Sequence, residues 1–185
     1  MKKLILFVLI CLPGILNAQP LKYSRAYLGA IIHDSRLGGS MILSYGLNKY
    51  LGIGAGVELT SYRPSNTDDA KFFAPFYADV RFKYPVKYIE PFVFGQFGKH
   101  SYESNLGTYT DQTGAPTLKL REQGKYFYGA GLGISSKHSK KVGAFASATY
   151  RLYKFQYDPN KVDFNGRILV DREQSMLIIS AGLVF

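Results

Sequence analysis

The chain has 185 residues, 23 Lys and Arg against 13 Asp and Glu, a formal net charge of +10 and a single cysteine. One cysteine excludes an internal disulfide and any multi-cysteine metal site, and the length suits one domain. Glycine (19), tyrosine (15) and phenylalanine (13) are abundant while charge is scattered, which points to β-structure with many turns and away from a disordered chain.

The first residues, MKKLILFVLICLPGILNAQP, set two lysines ahead of an apolar run from Leu4 to Leu12, then a Pro13-Gly14 break and Ala18 before Gln19. That order is a secretory signal peptide over residues 1–18, leaving residues 19–185 as one mature domain. The run is too short for a transmembrane helix, which needs about 20 apolar residues. Cys11 lies inside the signal. A lipoprotein reading needs a small residue before the acylated cysteine, and Ile10 is bulky, so the mature chain is expected to carry no thiol. Removing Lys2 and Lys3 leaves 21 bases over 13 acids, a net +8. On an exported chain such a surplus points to lipid or lipopolysaccharide phosphate rather than nucleic acid, or simply to solvated turns.

Beyond the signal the chain divides into segments whose two alternating residue sets differ in polarity, as strands of a half-buried sheet do. Two strands, near 25–34 and 39–48, precede a clear one at 50–62, where Leu51, Ile53, Ala55, Val57 and Leu59 alternate with Gly52, Gly54, Gly56, Glu58 and Thr60. A fourth follows, with Phe76, Ala78, Val80, Phe82 and Tyr84 alternating with Tyr77, Asp79, Arg81 and Lys83. A fifth runs near 89–100. In the sixth, Tyr126, Tyr128, Ala130, Leu132 and Ile134 alternate with Phe127, Gly129, Gly131, Gly133 and Ser135. The seventh spans 142–153, and the last sets Leu177, Ile179, Ala181, Leu183 and Phe185 against Met176, Ile178, Ser180, Gly182 and Val184. Eight strands of ten or so residues match the length that a tilted strand needs to cross a bilayer. Connections at 48–49, 85–88 and 137–141 are short, whereas those at 63–71, 101–123 and 158–173 are long; only 35–38 breaks the alternation. Short turns on one rim and long loops on the other are the asymmetry of bacterial outer-membrane barrels.

A soluble lipocalin-type barrel would show the same alternation with its apolar set inward, and it is the competing fold. The polar set argues against it, being rich in glycine and carrying both charge signs, as suits a narrow filled interior. Tyr45, Tyr84, Tyr126 and Tyr150 close several apolar sets, and tyrosine suits a membrane interface.

With its signal peptide, eight alternating strands, uneven connections and terminal Leu183-Val184-Phe185, the chain resembles the small outer-membrane β-barrel superfamily of the outer membrane protein A type. The resemblance implies an eight-stranded antiparallel up-and-down transmembrane β-barrel in a bacterial outer membrane, most often a monomer. It also implies that Leu177, Ile179, Ala181, Leu183 and Phe185 form the signal read by the barrel assembly machinery. Gln19 after the cleavage point is similar to exported proteins of the Bacteroidetes.

Some barrels of this size modify lipids, and the resemblance brings lipid A deacylases into view, which hold a His and a Ser one residue apart on one strand. Here His100-Ser101 and His138-Ser139 are adjacent and project to opposite faces, while Ser136-Lys137-His138 has the reverse order in an expected turn. His33-Asp34-Ser35 reads as a strand end entering a polar loop rather than an acid–base site. The histidines are far apart and no ligand motif surrounds them, so no catalytic residue, metal or cofactor is expected. Glu58, Asp79, Arg81 and Arg151, with Glu90 and Gln96 as further members, are expected to form a closed polar network in the lumen, since buried charge must be paired; a narrow polar path is the competing reading. The stretch from Ser101 to Gln123 is expected to be a long exposed loop suited to binding a surface partner, glycan or lipopolysaccharide. Arg121, Lys125, Arg167 and Arg172 are candidates for contact with lipopolysaccharide phosphate. The expected function is structural or surface-binding, with a lipid-modifying enzyme or a small-solute pore as the alternatives.

Overall fold

The computed structural model of the chain describes residues 24–34, 36–62, 71–110, 116–136, 142–158 and 171–185. Ten β-strands run through them: β1 (Arg25–His33), β2 (Arg36–Gly46), β3 (Leu51–Tyr62), β4 (Lys71–Phe73), β5 (Pro75–Lys83), β6 (Ile89–His100), β7 (Glu103–Thr110), β8 (Pro116–Ser136), β9 (Gly143–Asp158) and β10 (Arg172–Val184). They occupy eight staves. β4 and β5 both pair with β3, one beyond the other across Ala74, and β6 and β7 likewise share β8 as partner. Every pairing is antiparallel, and the sheet closes because β2 pairs with β3 while β1 joins β2 to β10.

The register fixes the barrel's shape. From Val184 the hydrogen-bonded partners run Tyr27, Ile42, Gly56, Tyr77, Gly98, Phe127, Tyr153 and back to β10 at Gln174, a circuit that returns ten residues from its start. Eight staves with a stagger of ten residues give a tilt of about 40° and a backbone radius of about 8 Å. Such a cylinder holds side chains and little else.

The two residue sets face as the sequence indicates for a membrane barrel. Leu132 (64% exposed), Phe97 (62%), Leu177 (58%) and Val93 (55%) point outward, whereas Asp79 (0%), Arg151 (1%) and Arg81 (2%) point in. Burying charge while exposing leucine and phenylalanine over the whole circumference opposes the hydrophobic effect in water and matches it in lipid, so the lipocalin-type alternative is set aside. On β2 the apolar outward set runs from Tyr45 to Leu37. Those eight steps span about 27 Å along the strand and about 21 Å along the axis, close to the ~25 Å band of outer-membrane barrels.

Local chemistry explains the tight ends. The Asn48 side-chain oxygen accepts hydrogen bonds from the backbone N–H of Tyr50 (2.7 Å) and Leu51 (2.9 Å), closing the β2–β3 turn. Between β1 and β2, Asp34 takes a left-handed conformation (φ 46°) that aspartate tolerates better than most residues; the connection is tighter than the expected 35–38 loop because β2 begins at Arg36. The expected turn at 137–141 and the segments 1–23, 63–70 and 159–170 lie outside the described residues. One expectation is corrected. The stretch from Ser101 to Gln123 is not a loop: β7 pairs with the outer half of β8, from Glu103 opposite Gln123 to Thr110 opposite Pro116. β8 is thereby 21 residues long and extends the barrel wall into a hairpin.

Candidate functional site in the lumen and at its outer end

Inward residues of β3, β5, β6 and β9 meet at mid-barrel because the stagger brings distant positions to one level. Arg151 Nη1 and Nη2 donate to Glu58 Oε2 and Oε1, both at 2.6 Å, a bidentate pair. The Tyr77 hydroxyl also donates to Glu58 Oε1 (2.8 Å), and Arg151 Nη1 donates to the Tyr153 hydroxyl (3.0 Å). Arg81 lies against Asp79, with Nε to Oδ1 at 3.2 Å and Nη2 to Oδ2 at 3.4 Å. Gln96 joins the two pairs. Its carbonyl oxygen accepts from Arg151 Nε (2.9 Å) and Nη2 (2.7 Å), and its amide donates to Asp79 Oδ2 (3.1 Å). The structure thus brings Glu58, Asp79, Arg81 and Arg151 into one chain of contacts with Gln96 as link. Glu90 is buried toward the short-turn rim, within electrostatic reach of Lys83.

Rings fill the space around these charges. The Arg81 guanidinium sits 4.1 Å from the Tyr27 ring centre and 4.5 Å from that of Phe92; Arg151 lies 4.8 Å from Tyr77 and 5.0 Å from Phe127. Such cation–π contacts strengthen when desolvated. Gly131 and Gly133 make room for them: a Cβ on Gly133 would stand 2.5 Å from the Phe92 ring, and one on Gly131 would overlap Phe94. A cavity remains beside the network, lined by Ser40, Glu58, Phe94, Gln96, Ser147 and Thr149 among others, with about 10 Å³ open to the centre of a water molecule. That is room for about one water.

Toward the long-connection end an aromatic layer crosses the bore. His100 stacks edge-on against Tyr153 (5.3 Å) and Phe155 (4.9 Å), with Phe73 at 5.1 Å and Tyr102 edge-on to Phe155 at 5.3 Å. His100 Nε2 pairs with the Lys154 carbonyl oxygen (3.1 Å). His33 Nε2 pairs with Thr60 Oγ1 at 2.9 Å, and its Nδ1 is 3.9 Å from Asp34 Oδ2. His33 is therefore an inward side chain held by a threonine, and buried His100 and exposed Ser101 point apart. Beyond the apolar belt Glu122 is buried, 3.7 Å from Arg172; burial holds its carboxyl above the usual carboxylate range against the pull of Arg172. Three of the candidate phosphate contacts have carboxylates within reach: Arg121 pairs with Glu103 (3.1 Å), Lys125 with Asp171 (3.4 Å), and Arg172 faces Glu122. Arg167 lies outside the described residues. Sequence reasoning missed Tyr77 and Tyr153 as members of the network and the buried Glu122; the signal for Tyr77 and Tyr153 was their place on the polar sets of their strands.

Closed register, inverted polarity and a filled bore define an eight-stranded antiparallel β-barrel of the outer-membrane type. The chain is similar in fold to the N-terminal β-barrel domain of Pseudomonas aeruginosa OprF, with a TM-score of 0.50 and 12% identity over 88% of this chain and 96% of that one. A weaker likeness, at TM-score 0.36 and 13% identity over 87% and 98% of the two chains, is to Acinetobacter baumannii CarO2. No protein-family model and no curated protein matches the chain.

Proposed function

We propose that the protein is an integral outer-membrane barrel whose role is structural or surface-binding, working at its ends and outer wall rather than through its bore. The observation that carries this reading is the bidentate Arg151–Glu58 pair, bridged by Gln96 to Arg81 and Asp79, beside which the cavity among the described residues has room for about one water. An ion would have to part a buried charged pair to pass, at a cost of several kcal/mol, which opposes the small-solute pore. The network's role in this reading is to lock the eight staves together. Lipid and lipopolysaccharide are its surroundings, and the β7–β8 hairpin is the segment best placed to meet a surface partner. By resemblance, the outward set Leu177, Ile179, Ala181, Leu183 and Phe185 is assigned to recognition by the barrel assembly machinery.

The test is gel migration of the protein from isolated outer membranes, boiled against unboiled, beside swelling of liposomes that contain it. A heat-dependent band shift with swelling no faster than in empty liposomes is expected. Absence from the membrane fraction, or solute entry well above the empty control, overturns the reading. An altered lipid A mass spectrum on deleting the gene would support the enzyme alternative instead.

A further inference from the structure

Lysines on the outer wall at the long-connection end differ in what holds them. Lys125 and Lys154 each meet a carboxylate, Asp171 at 3.4 Å and Glu173 at 2.7 Å. Lys99, which the sequence did not single out, does not: among the described residues no carboxylate forms an ion pair with it. Its direction is set by the alternation along β6, where Val93, Gly95, Phe97 and Lys99 are exposed while Phe94, Gln96 and His100 are buried. The side chain therefore leaves the wall on the same side as the apolar belt.

The neighbours of Lys99 on that side are rings. It stands opposite Phe76 on β5, which is exposed. One step along its own face is Phe97, whose ring lies 6.0 Å from that of Tyr126, and Tyr126 carries Lys154 Nζ 5.6 Å from its centre. Phe76, Phe97 and Tyr126 thus form an aromatic shelf where the belt stops, for β6 ends at His100 and the hairpin wall starts at Glu103. An ammonium at the edge of lipid is costly unless it reaches water or an anion. Asp171 and Glu173 are already held by Lys125 and Lys154, so the complementary charge is one that the lipid supplies, at the depth where interfacial rings lie. Directly beyond the shelf the outward pair Arg121–Glu103 (3.1 Å) and exposed Lys125 line the hairpin base. A broad sugar headgroup reaches those polar groups while its phosphate meets Lys99; a phospholipid headgroup has no hydroxylated rings to offer them.

We propose that Lys99, above the shelf of Phe76, Phe97 and Tyr126, is a docking site for the phosphate of a phosphorylated glycolipid of lipid A type in the leaflet at the long-connection end. The site deepens the surface-binding role proposed above and rests on the membrane-barrel reading. For the test, the full mature chain folded in a zwitterionic detergent at low salt is mixed with lipid A, with dephosphorylated lipid A or with phosphatidylglycerol. Bound lipid is counted by native mass spectrometry, and folding is read separately by the heat-dependent band shift. Wild type is expected to retain lipid A about fivefold better than the dephosphorylated form, as one ammonium near a lipid phosphate provides. Lys99→Gln is expected to bring the two near parity while keeping its band shift. Lys99→Arg, and Lys87→Gln at the opposite rim, are expected to keep the discrimination. A folded wild type that holds both forms alike, or discrimination unchanged in Lys99→Gln, overturns the phosphate site. Phosphatidylglycerol retained as well as lipid A, and lost with Lys99→Gln, overturns the choice of a glycolipid. A chain that shows no band shift overturns the barrel reading, and the docking site with it.

Discussion

Arg151→Met tests the lumen network at its most connected member. The substitution removes five hydrogen bonds, two to Glu58, two to Gln96 and one to Tyr153, and leaves the buried Glu58 carboxylate, among the described residues, with the Tyr77 hydroxyl. Stranding one partner of a buried pair costs about 3–5 kcal/mol. With an m-value of about 2 kcal/mol/M in urea, the unfolding midpoint should fall by about 1.5–2.5 M. Glu58→Leu/Arg151→Met removes both charges and should recover most of the loss, leaving about 1–2 kcal/mol for Gln96 and the two tyrosine hydroxyls, which keep fewer partners. The assay is urea unfolding of each variant folded into lipid vesicles, followed as the fraction that migrates as the compact band without boiling. A single variant within about 1 kcal/mol of wild type, or a double variant as unstable as the single, would refute the argument that a desolvated charge pair locks the barrel.

Gly131→Val places its Cβ into the Phe94 ring and against the Ala148 carbonyl; since backbone cannot give way as a side chain can, at least the usual 1–3 kcal/mol of overpacking should appear as a smaller heat-modifiable fraction on refolding. Glu58→Ala/Asp79→Ala/Arg81→Ala/Arg151→Ala removes the charges but leaves Phe73, His100, Tyr153 and Phe155 across the bore, so liposome swelling should stay at the empty-liposome rate, and a measurable rise would refute the aromatic layer as a second block. The buried Glu122 carboxyl lies above the ordinary range, so the folded state holds its proton more tightly than the unfolded chain. Stability from that group is fully present below the ordinary carboxylate pKa and is lost as pH rises through the folded value. Glu122→Gln should therefore flatten the pH dependence of the urea midpoint above the ordinary carboxylate pKa, and an unchanged slope would count against it.

The orientation of the strands was legible because period two is a hard geometric constraint. Leu51 to Leu59 and Leu177 to Phe185 each keep one parity throughout, so neither set can change faces without a break. The outer half of β8 was not legible for the same reason reversed. Inward Glu122 and outward Tyr128 are both even-numbered, because a bulge between Gly124 and Phe127 shifts the register against β9. A reader following parity stops at the bulge and takes the remaining strand for loop, the more so as Thr, Gly and Asn in 103–110 suit turns as well as an exposed hairpin. β7 fares worse, having only β8 as its pairing partner among the described residues.

The members of the lumen network could be read from sequence, but not who holds whom. Glu58, Asp79, Arg81 and Arg151 are charged residues on polar sets, and a closed eight-stranded bore must pair whatever charge it encloses. Which carboxylate meets Arg151 depends on the stagger, since Glu58 is 93 residues away and lies several staves around the barrel. A stagger two residues larger or smaller would present a different inward residue at that level. Gln96 follows the same logic: a neutral amide carries no charge signature, yet it is the group that donates to Asp79 and accepts from Arg151 at once.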